Sequence, residues 1–180
     1  RLLDIGCGNG AFLHAFSAAM PEWTLAGTEL SDLNRATVEA IRGVEAMHTC
    51  PIADVPGCFG LISLVHVLEH IADPLGFLRI AATKLDRGGV LFVQVPNAAR
   101  NPYDMMIADH ATHFTVAPLT ALIQRAGFGI TTVSEDWVAK EISVIATKGR
   151  PTAEFVATRR DSAAESLDWL LATAEIGRAH

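Results

Sequence analysis

The stretch Leu2–Gly10 constrains the fold more than any other part of the chain, because a short apolar run ends there in three alternating glycines. Glycine has no Cβ, so Gly6 and Gly8 can adopt positive φ and let a ligand approach bare backbone. An acid, Glu29, follows about 19 residues after Gly10, at the end of a second apolar run. A carboxylate in that position can accept hydrogen bonds from ribose hydroxyls. The pattern therefore predicts a nucleotide-like ligand at a strand, turn and helix.

Two ligand classes fit this turn. The spacing of Gly6, Gly8 and Ala11 satisfies the looser dinucleotide fingerprint, which is typical of an NAD(P)-dependent oxidoreductase. However, Asp4 lies two residues before the first glycine, where an anion would repel a pyrophosphate but attract the ammonium group of an amino acid. Asp4 therefore favours S-adenosylmethionine over NAD.

Length and composition predict one α/β domain and a tail. The 180 residues are half hydrophobic, enough for one core, and we expect a domain over residues 1–149 and a helical tail or connector over 150–180. Because the chain opens inside a strand pattern, we expect that a preceding segment is missing. The net charge of −6 and the lack of a basic run argue against nucleic acid as a partner.

Cysteine usage and hydropathy predict the cellular setting. The three cysteines form no C-x-x-C pair, which favours a reducing cytoplasm over a disulfide framework. No apolar run reaches the roughly 18 residues that a membrane span needs. No heptad or apolar stripe indicates an oligomeric state.

Strand-like and helix-like segments alternate along the chain. The predicted strands are Leu2–Ile5, Trp23–Thr28, Val44–His48, Leu61–Val67, Val90–Val95, Ile130–Val138 and Ile142–Thr147. The predicted helices are Ala11–Met20, Ser31–Arg42 with Ser31 as N-cap, Pro74–Leu85 and Val116–Ala126. This alternation predicts a Rossmann-like, doubly wound sheet of seven mainly parallel strands. The short break between the last two strands predicts an antiparallel hairpin at one edge.

Further motifs follow the glycine turn and Glu29 in order. They are HVLEHIADP at His66–Pro74, LDRGGVL at Leu85–Leu91, VPN at Val95–Asn97 and DHATHFT at Asp109–Thr115. Together they resemble the class I S-adenosylmethionine-dependent methyltransferases over about residues 1–149. The match is closest to the small-molecule branch, and Asp109–Thr115 is similar to an element of enzymes that modify sugars and surface glycans.

The resemblance implies a set of cofactor-binding residues. Asp4 would hold the amino group of the cofactor, Glu29 its ribose, and Leu30 its adenine. Ile52 and Asp54 would serve adenine where the family often has an acid, and His66 would border the cofactor. The glycine turn would lie against the methionine part through Gly6, Cys7, Gly8 and Gly10.

Two histidines are candidates for catalysis. Methyl transfer needs an aligned acceptor and, for many acceptors, removal of a proton, which histidine can perform near neutral pH. We expect His113 or His110 to be the general base, with His113 preferred because Phe114 would hold it at the pocket wall. Alternatively, both histidines serve only loop structure, or they begin a metal site with Asp109. No metal is predicted.

The predicted function is S-adenosylmethionine-dependent methylation of a small molecule, a sugar or glycan precursor, on oxygen or carbon. Two alternatives stay open. One is the NAD(P)-dependent oxidoreductase suggested by the fingerprint. The other is a catalytically silent cofactor-binding module of a larger protein, suggested by Pro51 and Gly60 at positions where the family carries acids.

Overall fold

The computed structural model describes residues 1–149, which form one seven-stranded sheet with helices on both faces. The strands are β1 Leu2–Ile5, β2 Leu25–Thr28, β3 Val44–His48, β4 Phe59–Val65, β5 Leu85–Pro96, β6 Phe128–Ser134 and β7 Glu141–Lys148. The helices are α1 Ala11–Ala19, α2 Arg35–Glu39, α3 Pro74–Lys84 and α4 Val116–Arg125. The predicted tail at 150–180 lies outside the described residues.

The strand order β3-β2-β1-β4-β5-β7-β6 is that of a doubly wound sheet. Strands β1 to β5 run parallel to one another, and β7 runs antiparallel to both β5 and β6. The predicted fold and the antiparallel edge hairpin are therefore confirmed. Because parallel strands end at the same edge, the segments after β1 to β5 meet there. We call this edge the carboxyl rim.

Alternating side chains of the strands fill two separate cores. In β5, Leu91 and Val93 belong to the cluster that packs under α3 and α4, whereas Phe92 belongs to the cluster under α1 and α2. In β1, Leu3 belongs to the first of these clusters and Leu2 to the second. All five of these side chains are at most 2% exposed, as expected for strands covered on both faces.

Among the predicted helices, α2 departs most from its predicted bounds. The predicted helix begins after Ser31, but the observed helix is five residues long and begins after Asn34. The hydroxyl of Ser31 instead accepts a hydrogen bond from the Leu33 backbone N at 3.2 Å, forming a local turn. Helix α2 is held by its end, where Glu39 Oε1 accepts a hydrogen bond from Met47 N of β3 at 3.1 Å.

Helix α3 begins with a side-chain cap. Asp73 Oδ1 accepts a hydrogen bond from Gly76 N at 2.9 Å, and Pro74 occupies the first helical position, where its missing N–H has no cost. The helix has 11 residues. None of the helices within residues 1–149 has the length and apolar character that crossing a bilayer requires.

We expect Asp73→Ala to lower the free energy of unfolding by about 1 kcal/mol, because it removes the N-cap of α3. Gly76→Ala should also destabilise, because the added Cβ would collide with the Asp73 carboxylate. Urea denaturation measures both effects against Asp86→Ala, a change at an exposed acid. Equal stability of the Asp73 and Asp86 variants would contradict the cap assignment.

Candidate cofactor and acceptor site

The glycine turn after β1 uses its three glycines for two different purposes. Gly6, Gly8 and Gly10 all have positive φ, at 69°, 53° and 84°. A Cβ on Gly6 would lie 2.5 Å from Val67 Cγ2, and one on Gly10 would lie 2.6 Å from Ile41 Cδ1. A Cβ on Gly8 would meet nothing within 4 Å. Gly6 and Gly10 therefore permit packing within the protein, whereas Gly8 presents bare backbone to open space.

Glu29 lies over this turn. Its Oε2 accepts a hydrogen bond from Gly8 N at 3.0 Å, and its Oε1 accepts one from Leu30 N at 2.7 Å. The carboxylate is thus held at the carboxyl end of β2, beside the backbone that Gly8 leaves accessible. The Leu30 side chain is 98% exposed at the same place.

Asp4 is buried at the base of the turn. It is 2% exposed, and its Oδ1 accepts a hydrogen bond from Ser63 Oγ of β4 at 2.7 Å. Burial raises the pKa of the Asp4 carboxyl to about 7, the Ser63 hydrogen bond opposes the rise, and the charge of Glu29 adds to it. A cation brought next to Asp4 would stabilise its ionised form.

Cys7 is a packing residue within the turn. It is 6% exposed, and its Sγ packs against Gly27 so closely that a Cβ on Gly27 would lie only 2.6 Å from the sulfur atom. Burial, together with the charges of Asp4 and Glu29, raises the pKa of the Cys7 thiol to about 12. The thiolate that nucleophilic chemistry needs is therefore disfavoured.

The segment after β3 brings Ile52 and Asp54 to the carboxyl rim. They begin and end a short 3-10 turn, Ile52–Asp54, in which Asp54 N donates to Pro51 O at 2.8 Å. Ile52 is 9% exposed, whereas Asp54 is exposed. Their predicted role toward adenine stays a prediction.

His66 follows β4 and has a left-handed backbone, with φ of 54°, which is uncommon outside glycine. Its backbone N donates to Gln94 O at 3.0 Å, extending the pairing of β4 with β5. The ring lies between two buried acids: Nδ1 is 3.3 Å from Glu69 Oε1, and Nε2 is 3.8 Å from Glu141 Oε2. Strained residues of this kind concentrate at functional sites.

Asp104, which the sequence analysis missed, joins the two candidate histidines. Its Oδ1 lies 2.7 Å from His110 Nδ1, and its Oδ2 lies 2.7 Å from His113 Nδ1. We call these three residues the histidine cluster. Carboxylate oxygens are acceptors, so these distances favour the tautomers in which each Nδ1–H points at Asp104 and each Nε2 is left for other partners. The one signal in the sequence is an acid inside the apolar segment 103–107.

Burial separates the two histidines. The side chain of His110 is 6% exposed, whereas that of His113 is 32% exposed. Phe114, which is 3% exposed, forms an isolated parallel bridge with Asn97 just after β5. This bridge places the backbone next to His113 beside the segment that follows β5. The predicted role of Phe114 in holding His113 at a pocket wall stays a prediction.

Asp109 does not join His110 and His113, contrary to the metal alternative raised from the sequence. Its side chain is 76% exposed and lies 3.4 Å from His70 Nδ1, which also lies 3.1 Å from Asp109 O. The carboxylate within hydrogen-bonding distance of both histidines comes instead from Asp104. His70 thus ties the loop after β4 to the loop that carries the histidine cluster.

Comparison with known families decides the class of this site. A family model described as a methyltransferase domain matches residues 1–133. The chain belongs to this methyltransferase family. The predicted enzyme class is thereby confirmed, and S-adenosylmethionine is the cofactor of the class.

Curated relatives of this methyltransferase domain are named as O-methyltransferases of ubiquinone biosynthesis. The ubiquinone biosynthesis O-methyltransferase of Aeromonas salmonicida is 28% identical over 147 residues, covering 71% of this chain and 62% of that protein. Its counterpart in Caulobacter sp. is 36% identical over 105 residues, covering 54% of this chain and 41% of that protein. The chain thus spans about half the length of these relatives. They do not support the narrower resemblance to sugar- and glycan-modifying enzymes.

A solved structure shares the fold of this methyltransferase domain. The magnesium protoporphyrin IX methyltransferase from Synechocystis, solved with bound S-adenosylhomocysteine, has a TM-score of 0.63 and 14% identity, covering 82% of this chain and 73% of that one. At this level of identity the likeness establishes the fold alone.

We expect the unliganded protein to lose stability as the pH rises from about 4 to about 7. The pKa of Asp4 is raised from 3.8 to about 7, so the folded state keeps a proton there that the unfolded chain releases. The stabilisation that this proton provides is fully present below about pH 4 and is lost as the pH rises through 7. The free energy of unfolding decreases by up to about 4 kcal/mol over this range. Asp4→Asn, which keeps an acceptor for Ser63, should remove it. Urea denaturation across this range is the test, and equal pH dependence of the two proteins would contradict it.

Proposed function

We propose that this domain transfers a methyl group from S-adenosylmethionine to a hydroxyl oxygen of a small molecule. The observation that carries the proposal is the pairing of Glu29 with Gly8 beside open space, with the buried Asp4 at the base of the turn. A ribose and an ammonium group would complement these two acids. The family to which the chain belongs supports the same ligand.

Most of the predicted cofactor residues have a role toward the ligand in this arrangement, whereas Gly6, Cys7 and Gly10 serve the packing of the turn itself. Asp4 would pair with the ammonium group, which would stabilise its ionised form. Glu29 would exchange its hydrogen bond with the Gly8 backbone for hydrogen bonds from ribose hydroxyls. The exposed Leu30 would pack on adenine, Ile52 and Asp54 would line the adenine side, and His66 would border the cofactor at the end of β4.

The two alternative functions, an oxidoreductase and a silent cofactor-binding module, differ in how they can be excluded. An NAD(P)-dependent oxidoreductase is disfavoured, because Asp4 is buried where a pyrophosphate would approach and because the family is that of methyltransferases. A silent cofactor-binding module would bind the cofactor without turnover, so a methyl-transfer assay separates it from an enzyme.

The acceptor in our proposal is a hydroxylated small molecule. The named curated relatives are O-methyltransferases of ubiquinone biosynthesis, which favours oxygen over carbon as the acceptor atom. A sugar or glycan precursor offers the same hydroxyl chemistry, so phenolic and sugar acceptors form two arms of one screen.

His113 is our proposed general base. When bound, S-adenosylmethionine supplies a methyl group whose bond to sulfur breaks as the acceptor oxygen attacks, and sulfur keeps the electron pair. The hydroxyl proton passes to Nε2 of His113, whose Nδ1–H is held by Asp104. His113 is one third exposed, whereas His110 is nearly buried, and this favours His113 for contact with the acceptor.

The cofactor proposal predicts that S-adenosylhomocysteine binds and that Glu29→Ala weakens this binding about tenfold or more, because a charged acceptor for two hydroxyls is lost. Isothermal titration calorimetry with the full chain measures the affinity, and Glu22→Ala, at an exposed acid, is the control. NAD and NADP form the comparison arms. Binding of NAD, or an unchanged affinity in Glu29→Ala, would overturn the proposal.

The general-base proposal predicts that His113→Ala lowers kcat about 100-fold or more while the affinity for S-adenosylhomocysteine is unchanged. His14→Ala, at an exposed histidine of α1, should keep normal turnover. The assay follows formation of S-adenosylhomocysteine with an acceptor found in the screen. Near-normal turnover by both His113→Ala and His110→Ala would exclude a histidine base in this cluster.

A further inference from the structure

We propose that the histidine cluster, Asp104, His110 and His113, is also a binding site for a divalent transition ion of the Zn²⁺ type. This inference goes beyond methyl transfer, since the ion would bind in the absence of cofactor and acceptor. It rests on the geometry of the three side chains, on the buried charge around His110 and on the chemistry of the donor atoms.

The donor atoms are already gathered. One ligand atom from each of Asp104, His110 and His113 lies within 4.8 Å of the other two. Ligand atoms around a tetrahedral Zn²⁺ are separated by roughly 3.4 Å, given bond lengths of about 2.0–2.2 Å. Binding therefore needs small side-chain shifts and, where Nδ1 is the ligating atom, transfer of that ring's proton to Nε2. With His113 one third exposed, an ion also has a route from solvent.

The backbone holds these donors in place without an ion. Asp104 lies in the 3-10 turn Pro102–Met106, where its N donates to Asn101 O at 3.0 Å and its O accepts from Ile107 N at 3.1 Å. His110 N then donates to Ile107 O at 3.2 Å. A site with positions set in advance loses little conformational entropy when an ion binds.

Buried negative charge around His110 provides an independent reason. Glu69 is 1% exposed, and its Oε1 lies 3.3 Å from His66 Nδ1, but neither of its carboxylate oxygens accepts a hydrogen bond of good geometry within residues 1–149. With His70 it forms a second group of possible ligands that shares His110 with the first. Two buried carboxylates, from Asp104 and Glu69, therefore flank one imidazole. A dication would compensate this charge, which otherwise has a large desolvation cost.

The donor set selects the class of ion. Two imidazole nitrogens and one carboxylate oxygen suit Zn²⁺, Co²⁺ or Ni²⁺ better than Mg²⁺ or Ca²⁺, which prefer all-oxygen sites. The two exposed cysteines, Cys50 and Cys58, are the competing ligands that a test must remove.

Metal binding and general-base catalysis at His113 exclude one another, because a ligated imidazole cannot accept a proton. Zn²⁺ would therefore inhibit methyl transfer by occupying the histidine cluster. The two proposals can still fail separately. Glu29→Ala should lose cofactor binding and keep the ion, whereas His113→Ala should lose the ion and keep the cofactor.

The test is calorimetric titration of the untagged full chain with Zn²⁺, without cofactor, together with the visible absorption bands of added Co²⁺. We expect one equivalent of Zn²⁺ to bind, and Asp104→Asn, His110→Ala and His113→Ala each to weaken binding about tenfold or more. His14→Ala and the double variant Cys50→Ser, Cys58→Ser should bind like the wild type. Circular dichroism checks that each variant is folded.

Three outcomes would overturn the proposal. They are the absence of Zn²⁺ binding at micromolar concentrations, equal binding by the wild type and His113→Ala, and loss of binding in the cysteine double variant. If His110→Ala fails to fold, the more exposed His113→Ala and the Co²⁺ spectrum of the wild type still show whether the histidine cluster binds the ion.

Discussion

The close approach of the turns after β1 and β4 is the constraint on which the rest of the site depends. Gly6 and Val67 meet at a distance that no Cβ would allow, and this contact brings the glycine turn against the segment that carries His66. Within the same pair of strands, Ser63 of β4 reaches Asp4 of β1. A side chain at Gly6 would therefore disturb the backbone of the glycine turn and the buried acid beneath it.

Buried carboxylates organise the carboxyl rim around this contact. Asp4, Glu69 and Asp104 are each at most 2% exposed, and each lies where a strand or the segment following it contributes to the site. Their partners differ: a hydroxyl for Asp4, an imidazole for Glu69 and two imidazoles for Asp104. An acid-rich site of this kind suits cationic groups and hydrogen-bond donors, such as an ammonium group, sugar or phenol hydroxyls, or a metal ion.

Local patterns predicted the parts of the molecule that are governed locally. The seven strands, the edge hairpin and the glycine turn with Glu29 all follow from periodicity and turn chemistry, and the structure confirms the fold. Helix α2 did not follow, because Ser31 satisfies a turn of its own and tertiary contact with β3 decides where the helix lies. Asp104 was missed because nothing near it in sequence indicates its partners, six and nine residues away.

The sequence by itself determined the fold class and the glycine turn, and it singled out the candidate histidines, since each of these depends on residue type and short-range spacing. Only the tertiary structure decided which carboxylate those histidines share, because Asp109 is adjacent in sequence and yet pairs with His70. It also decided that Gly6 serves internal packing whereas Gly8 is open to a ligand. Long-range packing sets both outcomes, and neither burial nor the direction of a side chain is encoded in local spacing.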